Sequence, residues 1–198
     1  MSMTQRRQLF KAVLTAALGL GAQTALAELP RFAEDGSLLL PQDYRRWVMV
    51  GTQVTPNELN DGNAPFTETR VVYINPEGFD HWLANGSFPD GTMMAKELLS
   101  IGAREGVGSG NGYFMGDFYG LEVSVKSREH FPDQPGNWGY YIFYLPGQPV
   151  PAAARHEATE TCNACHAAGA RDDFVFTQFY PVLRAAQGTG VRGIRPSN

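Results

Sequence analysis

The feature that most constrains this chain is the run Cys162-Asn163-Ala164-Cys165-His166. Two thiols three positions apart, followed at once by an imidazole, form the attachment pattern of c-type haem. In that pattern each thiol adds to one haem vinyl group and the histidine reaches the iron. Residues three and four apart share one face of a helix, so Cys162, Cys165 and His166 can all face one porphyrin edge. We therefore expect one covalent haem c per chain, with His166 as the iron ligand.

Two other uses of a Cys-x-x-Cys pair fit this chain less well. A structural zinc site requires a second pair of ligands, and the chain contains only these two cysteines. A thioredoxin-like redox pair does not need His166 and lies in a βαβ pattern, which the sequence does not show. With both thiols committed to haem, no structural disulfide is expected.

The N-terminal segment has the features of an export signal. Three basic residues precede an apolar run and a small-residue cleavage pattern: Arg6, Arg7 and Lys11, then Ala12 to Ala22, then Ala25-Leu26-Ala27. This order predicts a signal peptide over residues 1–27, a single domain over residues 28–198, and a periplasmic location. The apolar run is shorter than the roughly 20 residues that span a bilayer, so no membrane span is expected.

The charge balance narrows the class of partner. The formal net charge is −4, and removal of the signal peptide would take away three positive charges and no negative ones, leaving −7. A chain this acidic lacks the basic surface that the phosphate backbone requires, so nucleic-acid binding is not expected.

The pattern of apolar residues predicts an α+β fold, a mainly antiparallel β-sheet with flanking helices and a haem-bearing C-terminal helix. Segments rich in β-branched and aromatic residues predict strands over residues 47–50, 70–74, 92–101, 113–126 and 138–145. No helix of crossover length separates most of them, which favours antiparallel pairing. Proline positions, caps and apolar spacing predict helices over residues 38–47, 75–85, 152–168 and 172–186.

Lys96 and Glu122 are candidate chemical groups with two interpretations each. Alternation along its strand places Lys96 with Met94 and Leu98, and desolvation there would favour the neutral, nucleophilic amine. The neighbouring Glu97 instead suggests a half-exposed strand from which Lys96 reaches solvent. Glu122 shares a strand face with Ser124 and Lys126, which favours a solvated position. The glycine and aromatic residues around Glu122 are equally compatible with a pocket in which it accepts protons.

The residue that faces the haem iron from the side opposite His166 determines whether the haem transfers electrons or binds small ligands. A methionine or histidine on the iron makes an electron carrier, whereas an open position binds small ligands. Several residues are candidates, and none lies in an obvious ligand motif: Met49, Met93, Met94, Met115, His81, His130 and His156. The sequence leaves the identity of this ligand undecided.

Beyond the haem motif, the mature chain resembles the cytochrome P460 family along most of its length. The resemblance is carried by several segments: Leu39-Leu40-Pro41, Trp47 to Thr52, Asp90-Gly91-Thr92, Lys96-Glu97-Leu98, Gly108 to Asp117, Pro135 to Trp138, Cys162 to His166 and Asp173 to Gln178. It implies a sheet-based homodimer with an open distal iron position, a covalent bond from Lys96 to a meso carbon of the haem, and Glu122 as the distal carboxylate.

The same resemblance implies an activity. Members of the family oxidise hydroxylamine to nitrous oxide through an iron-nitrosyl intermediate and pass electrons to a soluble redox partner. Related cytochromes c′ of the beta type share the fold, lack the lysine bond and bind nitric oxide. The presence of Lys96 favours the enzyme, with Glu122 and Lys96 as catalytic residues. A nitric-oxide-binding protein and a simple electron-transfer cytochrome c are the alternatives.

Overall fold

The computed structural model describes residues 29–64, 69–106, 108–144 and 147–188, so the predicted signal peptide lies outside the described residues. The strands are β1 Leu38–Leu39, β2 Val48–Val54, β3 Thr69–Ile74, β4 Met93–Ile101, β5 Glu105–Gly106, β6 Gly110–Asn111, β7 Met115–Lys126, β8 Trp138–Phe143 and β9 Ala153–Ala154. The α-helices are α1 Pro76–Asn85, α2 Asn163–Gly169 and α3 Pro181–Ala186. Short 3₁₀ turns span Tyr44–Arg46, Asn57–Leu59, Pro135–Asn137 and Thr177–Phe179.

The predicted α+β fold is confirmed by a five-stranded antiparallel sheet in the order β2-β3-β4-β7-β8. The two longest strands, β4 and β7, lie next to each other in its interior. Their register pairs Lys96 with Glu122 and Met94 with Ser124. No described helix is both long enough and apolar enough to cross a membrane.

Apolar side chains cover both faces of this sheet. Because successive residues of a strand point to opposite faces, Met93 and Met94 join different core clusters, as do Tyr140 and Tyr141. Glu97, which the sequence suggested as a mark of exposure, is only 5% exposed. It accepts hydrogen bonds from the hydroxyl of Tyr44 at 2.9 Å and from Nε of Arg45 at 2.8 Å. A charged residue therefore lies within a sheet buried on both faces.

The helix predicted over residues 38–47 is wrong. Leu38 and Leu39 form a strand paired with Ala154 and Ala153, and only a single 3₁₀ turn follows. The strand pairing leaves the Leu38 side chain with no exposed surface. Burial against β9 therefore prevails over the helix-like spacing of these leucines.

The two C-terminal helices are shorter than predicted. In place of a helix from residue 152, the chain runs extended beside β8, where the backbone N–H of Glu157 donates to the carbonyl of Tyr140 at 2.8 Å. The helix predicted over residues 172–186 is limited to α3. Asp173 and Phe174 have φ angles of 44° and 62°, which a right-handed helix cannot include. In contrast, α1 matches its prediction and ends at Gly86 in the left-handed conformation.

Candidate functional site

A cavity of about 670 Å³ lies between one face of the sheet and the C-terminal segment. Its volume falls within the range of about 300–1,000 Å³ that is usual for ligand sites. The residues around it include the five side chains to which the sequence and the family resemblance assign haem attachment, iron binding or catalysis: Lys96, Glu122, Cys162, Cys165 and His166. Further lining residues are Gln53, Val54, Thr55, Arg70, Val72, Met94, Ser124, Tyr140, Phe174, Val175, Phe176, Phe179 and Tyr180.

Helix α2 presents the Cys-x-x-Cys-His motif to this cavity. Cys162 is the residue that caps the helix, and Cys165 and His166 lie one turn further along. Between them Asn163 is 1% exposed, and its Nδ2 donates to the carbonyl of Trp138 at 3.1 Å. This bond ties the start of α2 to the start of β8, so the motif is held against the sheet. Both thiols are free, as haem attachment requires.

The environment of His166 sets which ring nitrogen is available to a metal. Nδ1 lies 2.7 Å from the carbonyl oxygen of Phe174. Because a carbonyl only accepts, Nδ1 carries the proton and Nε2 keeps its lone pair. Burial lowers the pKa of His166, so the imidazole is neutral at pH 7, the form that binds metals.

Lys96 and Glu122 form an ion pair across β4 and β7. Each side chain is 26% exposed, and both border the cavity together with Met94 and Ser124. The strand face that alternation assigned to solvent is thus the wall of a cavity. The structure brings the amine and the carboxylate together with the haem motif, as the pocket interpretation of both residues requires.

The cavity contains polar groups that the sequence did not single out. Arg70 is 7% exposed, its guanidinium donates to the Thr55 hydroxyl at 3.0 Å, and desolvation lowers its pKa while Glu122 opposes that shift. Burial likewise raises the pKa of Tyr180 to about 12. An arginine inside a strand of β-branched residues was the available signal for Arg70, because such a strand rarely contains a cation without a partner or pocket.

The structure separates the candidates for the residue opposite His166. Met49 and Met115 are 48% and 63% exposed, Met93 packs on the other face of the sheet, and the three histidines do not line the cavity. Met94 is the one of the seven that borders it, and it belongs to the same core cluster as Val50 and Val72.

The side chains around the cavity fit a haem. Aromatic and aliphatic groups form much of the wall, two free thiols and a neutral imidazole face it, and the hydroxyl of Tyr140 is buried there without a hydrogen-bond partner. Among the described residues, no group of three or more His, Cys, Asp or Glu side chains could hold a bare metal ion, which the zinc alternative would need.

An antiparallel sheet that carries a lysine and a carboxylate opposite a Cys-x-x-Cys-His helix defines a class of small haem cytochromes. The family model described as Cytochrome P460 matches residues 41–177, and the chain belongs to that family. Membership implies a haem cofactor and, in general terms, an oxidoreductase. No curated protein matches the chain.

Proposed function

We propose that this protein is a c-type haem enzyme that oxidises hydroxylamine to nitrous oxide. The observation that carries the proposal is the position of Lys96 and Glu122, paired across β4 and β7, in the same cavity wall as the haem-binding motif. A plain electron carrier needs neither group. An enzyme that removes protons along with electrons needs a base beside the reacting atom.

Four residues would hold the cofactor. Cys162 and Cys165 would form thioether bonds, His166 would bind the iron through Nε2, and Lys96 would bond to the ring as a further covalent anchor. When bound, the haem supplies the redox centre that accepts electrons from the substrate. A bond from the Lys96 nitrogen to a ring carbon would replace one N–H and one ring C–H, with two protons released and two electrons passed to an external oxidant. The nitrogen, conjugated with the ring, would then carry no positive charge, and Glu122 would no longer face a cation on the neighbouring strand.

Glu122 acts as the proton acceptor in this proposal. Oxidation of hydroxylamine to nitrous oxide releases protons and electrons together, so a carboxylate beside the substrate lowers the barrier of the proton-removing steps. Arg70 adds a positive charge to the same wall, and its electrostatic attraction to Glu122 is part of the site. The apolar walls formed by Val72, Phe176 and their neighbours exclude water from the reacting atoms.

Met94 supports one competing function. A methionine on the iron would make the protein an electron-transfer cytochrome with no place for a substrate. Under the proposal, Met94 is only part of the apolar core, and Met94→Leu should leave the optical spectrum and the binding of nitric oxide unchanged. A spectrum altered by Met94→Leu would favour the electron carrier.

The deciding experiment uses the purified holoprotein. Its reduced spectrum should lie far to the red of an ordinary c-type haem because of the lysine bond, and hydroxylamine with a soluble electron acceptor should yield nitrous oxide. An ordinary spectrum with tight nitric-oxide binding and no turnover would instead support the nitric-oxide-binding alternative.

Location and assembly form a separate part of the proposal. We propose export to the periplasm with cleavage after Ala27, a homodimeric state and a soluble redox partner as electron acceptor. The intact mass of the exported protein should equal a chain that begins at Glu28 plus one haem. Retention of residues 1–27, or a mass without haem, would contradict the export and attachment steps.

A further inference from the structure

A short turn beside His166 has a backbone conformation that is unusual for residues other than glycine. Asp173 and Phe174 are consecutive non-glycine residues with φ angles of 44° and 62°. The left-handed conformation is unfavourable for an L-amino acid, so two such residues in succession persist only where surrounding contacts hold them. The carbonyl of the second residue is the one that accepts the hydrogen bond from Nδ1 of His166.

Backbone hydrogen bonds between Asp172 and Val175 close this turn, and Lys126 makes a side-chain contact to its first left-handed residue. It is the last residue of β7, its side chain is 11% exposed, and its ammonium forms an ion pair with the Asp173 carboxylate. The other carboxylate oxygen lies 3.4 Å from Nε1 of Trp138, and the Lys126 ammonium lies 5.5 Å from the centre of the same indole. A largely desolvated cation therefore fixes the residue that precedes Phe174.

The end of the sheet around Lys126 contacts both the helix that carries His166 and the turn that bonds the His166 ring. Lys126 is the register partner of Trp138, whose carbonyl accepts the hydrogen bond from Asn163 at the start of α2. The Phe174 ring also lies against Gly136, where a Cβ would come within 2.4 Å of it. One sheet corner thus holds the helix that carries His166 and the turn that bonds its ring.

We propose that Lys126 and Asp173 are positioning residues that fix the Phe174 carbonyl and, through it, the orientation and electron density of His166. A strong hydrogen bond from Nδ1 makes an imidazole a more electron-rich ligand and fixes its rotation. An electron-rich ligand stabilises the oxidised metal, so the pair keeps the reduction potential of the haem low. The proposal rests on ligation of haem by His166, which is part of the proposed function.

Two variants test the pair in the holoprotein. Asp173→Asn keeps the shape of the side chain and tolerates the left-handed conformation, whereas Lys126→Met keeps the length of the stem and removes the charge. Each should shift the reduction potential to a more positive value and lower the stretching frequency of the iron–histidine bond. The double variant should match the single ones, because both changes break the same contact.

A conservative variant and a remote variant test whether the shifts are specific to the contact between Lys126 and Asp173. Lys126→Arg retains a cation and should restore much of the wild-type signature. Glu58→Gln removes one partner of the exposed Arg104 ion pair and should leave both readouts unchanged. If Asp173→Asn and Lys126→Met fold, bind haem and keep the wild-type potential and iron–histidine frequency, the proposal is overturned.

A further variant separates this proposal from the one it rests on. His166→Ala should abolish the iron–histidine signal. If the iron–histidine stretching band persists in His166→Ala, His166 is not the iron ligand, and the positioning role of Lys126 and Asp173 fails as well. If His166→Ala abolishes the signal while the Lys126 and Asp173 variants leave it unchanged, only the positioning role is wrong. Should Lys126→Met fail to fold, Lys126→Arg and Asp173→Asn still decide the outcome.

Discussion

At the scale of single residues, a substitution of Glu122 can distinguish proton transfer from the binding of hydroxylamine. Glu122→Gln keeps the size of the side chain and its hydrogen-bonding capacity but removes its ability to accept a proton. We expect hydroxylamine to bind as before while its oxidation slows by about 10²–10⁴-fold, the range for loss of a positioned base. Single-turnover kinetics on the holoprotein measures both quantities.

The control for this variant is Glu105→Gln, which removes an exposed carboxylate on β5. Its turnover should equal that of the wild type. The optical spectrum of Glu122→Gln must also match that of the wild type, to establish that the substitution leaves the proposed lysine–haem bond unaffected. Equal oxidation rates in wild type and Glu122→Gln would remove Glu122 from the mechanism.

Lys96 gives the second prediction at this scale. Lys96→Leu should retain haem, because the proposed thioether bonds at Cys162 and Cys165 would anchor the ring independently, but it should lack the red-shifted spectrum and the hydroxylamine oxidation that we propose for the wild type. We expect the variant to bind nitric oxide instead. Arg104→Leu, which removes an exposed cation, is the matched control. Wild-type spectrum and turnover in Lys96→Leu would make Lys96 an ordinary strand residue.

Lys96 and Glu122 also show what the alternation of residues along a strand can and cannot predict. Alternation correctly placed Lys96 with Met94, and it grouped Glu122 with Ser124. It could not separate solvent from a polar cavity, because polar side chains face both environments with the same period of two. The family resemblance, rather than the pattern, favoured the pocket. Arg70 was missed because a cation within a β-branched strand indicates a partner or pocket without saying which one, and the cavity that it borders is visible only in the three-dimensional fold.

At the scale of elements, α2 depends on one buried amide. Asn163→Ala removes the hydrogen bond to the Trp138 carbonyl and leaves that acceptor buried, which should lower the free energy of unfolding by about 1–3 kcal/mol. Asn85→Ala, an exposed amide that bonds the His81 carbonyl at 3.1 Å, is the control and should change it by less than about 0.5 kcal/mol. Denaturant titration of both variants checks the difference. Equal losses would show that Asn163 does not anchor the helix.

The C-terminal elements were the least predictable part of the chain. Apolar spacing over residues 172–186 is typical of a helix, yet the left-handed turn at Asp173 and Phe174 interrupts it. That turn is stabilised by contacts with Lys126 and Trp138, which lie more than thirty residues earlier in the chain. Local propensity cannot predict a conformation that depends on distant partners. By contrast, α1 carries its own start and stop signals, and it was predicted within one residue.

At the scale of the whole molecule, the order of strands made the antiparallel sheet predictable, but its burial on two faces was not. Segments such as Met93 to Leu99 are apolar on both faces, as in a strand with packing on each side. Glu97 obscured this pattern because a single buried carboxylate resembles an exposed one in sequence. Its bonds to Tyr44 and Arg45 come from residues about fifty positions away.

The face opposite the haem cavity provides a prediction for the stability of the whole fold. His156 stacks on Phe131 with ring centres 5.3 Å apart, and its Nε2 is buried without a hydrogen-bond partner. Desolvation lowers the pKa of His156 in the folded protein, although Glu157 opposes the shift. The unfolded chain therefore binds a proton more readily than the folded one. This group's contribution to stability is complete above the unfolded value of 6.5 and is lost as the pH falls below it.

His156→Phe tests this linkage because phenylalanine keeps an aromatic ring against Phe131 and does not titrate. The free energy of unfolding of the wild type should fall more steeply between pH 7.5 and 5.5, a range of about one unit on each side of the ordinary histidine pKa, than that of the variant. All other titrating groups are common to both proteins, so the difference between the two curves isolates His156. His156→Gln, which loses the ring stacking, should be less stable throughout yet show the same shallower slope. Parallel curves for the wild type and both variants would show that protonation of His156 does not contribute to acid unfolding.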